Sequence, residues 1–151
     1  MNSTIDRTHP LRGLVGVGLT ATLATVLATT LAAALAQAAG VDLVVADDET
    51  IPLSGIAVVT SVFSVVGVVI AVALLRWSAR PAERFVRTAV PLTAISLVPP
   101  AISGAGPATA GTLAGLHLVA AAVMIPALAR GLRVRTAHRS AAPSHVPAFA
   151  E

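Results

Sequence analysis

From Leu14 to Ala39 the chain carries no charged side chain over 26 consecutive positions. A helix rises ~1.5 Å per residue and the hydrocarbon core of a bilayer is ~30 Å thick, so ~20 such residues suffice to cross it. Three further apolar stretches follow, at about 52–75, 82–102 and 108–129. With the first, at 14–39, they predict an all-α fold, a bundle of four transmembrane helices. Composition agrees, with 56% hydrophobic and 11% charged residues and a mean hydropathy of +0.86. An ordinary soluble domain carries about 25% charged residues and has no way to hide this much apolar surface. In 151 residues, four spans leave no room for a separate soluble domain.

The ends of each span have local signals. Span one follows Arg12 and stops at Gly40, a common helix terminator, before the polar stretch Asp42 to Thr50. Span two begins at Pro52, which is tolerated in a first turn because its missing N–H would lack an intrahelical partner anyway. Arg76 and Trp77 close it at an interface. Span three starts well, with Pro81 and Glu83, but Pro91, Pro99 and Pro100 interrupt it, so its helix is expected to be short or broken by proline. The turn Ser103 to Gly106 leads into span four, whose last turn Pro126 should bend. Residues 1–11 read as a cytoplasmic N-terminal segment, 12–130 as the membrane domain, and 131–151, polar and cut by Pro143 and Pro147, as a disordered cytoplasmic tail.

Arginine placement sets the expected orientation. Arg7 and Arg12 precede span one, Arg76, Arg80, Arg84 and Arg87 surround the second loop, and Arg130, Arg133, Arg135 and Arg139 follow span four. The other two loops have none. Positively charged loops stay in the cytoplasm, so both ends are expected there, in the plasma membrane of a bacterium. An alternative for the first span is a signal peptide, since Ala34, Ala36 and Ala38 resemble a cleavage site. Its length argues otherwise, because the apolar core of a signal peptide runs to about 7–15 residues. Cleavage would leave three spans and put the new N-terminus outside. The same arginines flank apolar spans instead of forming a polar basic face, so nucleic acid is not an expected partner. All ten basic residues are Arg and none is Lys, and Ala and Val dominate the apolar set, a bias typical of a GC-rich bacterial genome.

Several features together resemble a family of small four-span membrane proteins of unknown function from high-GC Gram-positive bacteria. They are Gly40-Val41-Asp42 after the first span, the arginine-rich loop with Pro81, Leu97 to Pro100 in the third span, and His117 to Pro126 in the fourth. The resemblance covers about Arg12 to Arg130 and implies the same topology. It carries no catalytic residues.

His117 is the one ionisable side chain well inside an expected span. An uncompensated polar group in lipid costs several kcal/mol, which makes such residues candidate functional sites. The competing structural role is a neutral imidazole hydrogen-bonded to a neighbouring helix. Pro91 removes the donor for the Arg87 carbonyl, and Pro99 and Pro100 those for Ile95 and Ser96. A short connection makes spans three and four neighbours, which points to a small polar pocket lined by His117, Thr93 and Ser96 at the depth of Pro91. The alternative is a kink packed shut.

Asp42, Asp47, Asp48 and Glu49 crowd the first loop without the spacing of a calcium loop, and a solvated acidic loop explains them. Small residues recur every fourth position at Ala24, Ala28, Ala32 and Ala36, at Gly67 and Ala71, and at Gly111 and Gly115, as close helix approach requires. A haem held by two axial histidines has only His117 at membrane depth, no carboxylate lies well inside a span for a proton relay, and no nucleotide loop or hydrolase elbow is present. No cofactor and no metal are expected. The expected function is that of a non-enzymatic accessory or interaction subunit, a homo-oligomer or the partner of another membrane protein. The alternative is a small transporter or permeation protein working through the pocket at His117.

Overall fold

The computed structural model describes residues 9–45 and 49–141. They form five helices: α1 (His9–Ala38), α2 (Leu53–Trp77), α3 (Pro81–Ser96), α4 (Val98–Ile102) and α5 (Pro107–Ala141). Four segments are long and apolar enough to cross a membrane: Leu11–Ala38, Leu53–Trp77, Pro81–Ile102 and Pro107–Ala137. The third comprises α3 and α4 in succession.

Backbone chemistry explains where each helix stops. Three threonines of α1 stay compatible with a helix because their hydroxyls donate to carbonyls one turn back, Thr20 to Gly16 at 3.0 Å, Thr25 to Ala21 at 2.7 Å and Thr29 to Thr25 at 3.0 Å. At its end Gly40 takes φ +90°, the Val41 N–H reaches the Ala36 carbonyl and the Gly40 N–H the Gln37 carbonyl, a Schellman closure that satisfies carbonyls the helix would otherwise orphan. The break in the third span falls at Leu97. Pro99 and Pro100 cannot donate to the turn before them, and the Leu97 N–H turns to the Ala94 and Ile95 carbonyls instead. The expected proline break is thus a change of helix between Ser96 and Val98.

The helices pack in two layers of core along the bundle. At one end Leu14 and Ala21 of α1, Val68, Ala71 and Leu75 of α2, Ala82 and Phe85 of α3, and Met124, Leu128 and Leu132 of α5 form one buried cluster. At the other end Ala33, Ile56 and Leu116 close around Leu43 from the first loop. These contacts make α1 and α3 run one way and α2 and α5 the other. They also bring Arg12, Arg76, Arg80, Arg84, Arg87, Arg130, Arg133 and Arg135 to helical turns at one end of the bundle.

Three features differ from the sequence-based expectations. First, α5 continues through 131–141, where a disordered tail was expected, because it runs on past Pro126, no further proline occurs before Pro143, and Leu132 is fully buried. Arg135 and Thr136 bond back to the Gly131 and Leu132 carbonyls. Residues 142–151 lie outside the described residues, as do 1–8. Second, the buried stripe of α1 is Leu14, Gly18, Ala21, Thr25, Thr29 and Ala33, one position along from the Ala24 to Ala36 series. Third, Leu43 is completely buried although it sits in the polar first loop. It adopts φ +48°, a left-handed conformation uncommon for leucine, beside the paired residues Val44 and Thr50. The Ile51 N–H holds its carbonyl at 3.0 Å.

Candidate functional site

The broken third span has a consequence for the far half of the bundle. In α3 the buried residues are Pro81, Ala82 and Phe85, all in the first turns, and in α4 only Pro100 is buried. Among the described residues the far core cluster draws nothing from α3 or α4. The third span is therefore anchored at the arginine end and stands off from α2 beyond it. Between them lies a cleft of about 530 Å³. Thr60, Ser64 and Gly67 of α2 form one wall, Phe85, Thr93 and Ser96 of α3 the other, and Leu116, His117 and Met124 of α5 the floor.

His117, Thr93 and Ser96 line this one cleft. Pro91 does not. It lies exposed on another face of α3, because from Phe85 the lining recurs through Ala89, Leu92 and Ser96 while position 91 points away from that stripe. Sequence reasoning also missed the α2 wall, since it paired spans three and four alone. The signal was available in Thr60, Ser64 and Gly67, small or hydroxylated residues recurring every three or four positions.

The polar groups of the cleft are largely occupied. His117 Nδ1 lies 2.7 Å from the Leu113 carbonyl of its own helix. A carbonyl can only accept, so Nδ1 is the donor in this bond. The Thr93 hydroxyl donates to the Ala89 carbonyl at 2.9 Å, and that of Ser96 to the Thr93 carbonyl at 2.7 Å. These are the local bonds a helix next to a proline break uses to satisfy itself without water. His117 needs no second helix to hold it.

Other singled-out residues scatter. Asp42 and Glu49 are exposed in the first loop, and Asp47 and Asp48 lie outside the described residues. Gly67 sits 3.8–3.9 Å, measured from a built Cβ, from Met124 and Leu128, and Ala71 is fully buried, so the small pair of α2 does serve close packing. Gly111 and Gly115 face open space. Thr22 and Thr30 bury hydroxyls that have no partner among the described residues, and nothing in the packing explains them. Thr29 reaches across helices, to the Thr60 hydroxyl at 3.4 Å.

Four apolar spans, a basic end and a lateral cleft define a multi-pass integral membrane protein of helical-bundle type. Residues 9–134 match the family of unknown function DUF6069, and the chain belongs to that family. No curated protein and no solved structure matches it.

Proposed function

We propose that this protein is a non-enzymatic interaction subunit of a bacterial plasma membrane, with both termini in the cytoplasm, whose cleft between α2 and the third span receives an apolar membrane segment of a partner or a second copy. The observation that carries this reading is the unfilled far half of the bundle, where the third span adds nothing to the buried cluster among the described residues and leaves a cleft of about 530 Å³ beside α2. Small side chains in its walls favour a helix as occupant, since membrane helices associate through close van der Waals approach. The arginine-rich, lysine-free composition fits a source among high-GC Gram-positive bacteria.

The chain contains no cysteine, so single cysteines can be introduced without background. Cysteines at Ala89 and Val66, on opposite sides of the cleft, should form discrete cross-linked adducts in native membranes, whereas Leu23→Cys and Leu27→Cys on the lipid face of α1 should not. Adducts formed equally at all four positions, or at none, would defeat the proposal.

A transporter or permeation role is the second reading, favoured by the presence of His117, Thr93 and Ser96 in one cleft. His117→Ala separates the two. A folded variant that loses a solute-dependent phenotype supports transport, and a folded variant with unchanged phenotype and adducts supports interaction.

A further inference from the structure

The end of the bundle that collects the arginines has few acids to neutralise them. Glu83 is the one carboxylate among the described residues there. It pairs with Arg80 at 3.6 Å, and both side chains are well exposed, so water screens the pair. Arg84 and Arg87 have no carboxylate partner among the described residues.

At ~100° per residue, positions 80, 84 and 87 fall on one face at the start of α3. With Ala79 and Glu83 these arginines line an exposed hollow of about 330 Å³. Two observations fix its surroundings. Trp77, exposed at the end of α2 and two residues before the hollow begins, is the residue type that settles at the headgroup level. Beyond Arg87 the same face of α3 continues with Pro91 and Ile95, both exposed. From Arg87 to Ile95 the helix rises ~12 Å, close to the ~15 Å of one leaflet's hydrocarbon.

A basic hollow at headgroup depth, continuous with an apolar stripe one leaflet long, matches a molecule that joins a phosphate to acyl chains. Guanidinium groups bind phosphate oxygens through paired, charge-assisted hydrogen bonds, and three of them are available on one face. We propose that Arg80, Arg84 and Arg87 bind the headgroup phosphate of an anionic phospholipid, with its acyl chains against Pro91 and Ile95. A lipid of net negative charge is selected over a zwitterion because the surplus cations here repel a headgroup ammonium. The site is separate from the cleft and does not depend on the function proposed for it.

Trp77 is the only tryptophan of the chain, so its fluorescence reports on lipid at this spot. Full-length protein in phosphatidylcholine bilayers would be titrated with phosphatidylglycerol carrying brominated chains, which quench indole at contact, and in parallel with brominated phosphatidylcholine. Phosphatidylglycerol should quench at a much lower mole fraction. The variant Arg84→Gln/Arg87→Gln should raise its half-quenching fraction by about 30-fold, at roughly fivefold per arginine near a charged surface. Arg12→Gln/Arg133→Gln, removing the same charge elsewhere at this end, should change it less than about threefold. Glu83→Gln should lower it. Equal loss from both arginine pairs would reduce the effect to diffuse surface potential and overturn the proposal. So would displacement of the lipid by millimolar inorganic phosphate, which would make the hollow a free-anion site. All substituted side chains are exposed, and an unchanged far-ultraviolet spectrum confirms that each variant is folded.

Discussion

Gly18 lies where α1 packs closely on α2, and replacing it gives a sharp test of the packing. A Cβ built there would lie 2.7 Å and 2.8 Å from the two methyl carbons of Val68. Ordinary contact begins near 3.4 Å, so either the helices separate by several tenths of an ångström or Val68 leaves its rotamer. Val68 is β-branched and holds essentially one χ1 in a helix, so it cannot swing aside cheaply. Overpacking of this kind costs about 1–3 kcal/mol. Alanine returns up to about 1 kcal/mol of helix propensity. Gly18→Ala should therefore destabilise the bundle by up to about 2 kcal/mol. Gly16→Ala, two residues away on the opposite, exposed face where an added Cβ meets nothing within 4 Å, should be neutral or slightly stabilising. Removing the colliding methyls closes the cycle. In the Val68→Ala background, Gly18→Ala should cost at least about 1 kcal/mol less than in the native chain. Reversible unfolding in mixed micelles measures all four states. If Gly18→Ala and Gly16→Ala unfold alike, or the cycle shows no coupling, α1 does not pack on α2 as described.

Three further outcomes follow from the same contacts. His117→Leu should change unfolding stability by less than about 1 kcal/mol, because its bond is local to α5, and a larger loss would mean the imidazole joins two helices. Leu43→Ala, emptying the plug of the far core, should cost about 2–4 kcal/mol in the same assay, with stability near native refuting its role. Thr29→Val should cost about 0.6 kcal/mol, the average for a hydrogen bond between membrane helices, and less if the 3.4 Å approach to Thr60 contributes nothing.

What the sequence made legible followed from strong local chemistry. Long apolar runs located the spans, the third less sharply because Glu83, Arg84 and Arg87 lie in its first turns, and of the three prolines expected to interrupt it Pro99 and Pro100 stand at the break beside Leu97 while α3 runs on through Pro91. His117, Thr93 and Ser96 came together because a short connection forces their helices to be neighbours. The faces of the helices were not legible. A membrane helix is apolar on every side, so periodicity cannot tell lipid from protein. The leucines of α1 from Leu19 to Leu35 face outward at 60–63% exposure, while the buried stripe is made of Gly18, Ala21, Thr25 and Thr29. Leu43 was hidden for another reason: one leucine among acids reads as loop, and its burial depends on a left-handed backbone no composition announces. The continuation of α5 rests on Leu132, a buried leucine set among Arg130, Arg133 and Arg135, which shares its cluster with Leu14 more than a hundred positions earlier.

The four-span bundle with its arginines on one side is the claim on which the rest depends, and impermeant thiol labelling tests it directly. In the cysteine-free chain, single cysteines would replace Glu49, Ala79, Ala105 and Ala141, one at each loop and at the end of α5. The account predicts that positions 49 and 105 are labelled in intact cells, and positions 79 and 141 only after the membrane is opened. Labelling of position 79 in intact cells, or different behaviour of positions 49 and 105, would contradict it.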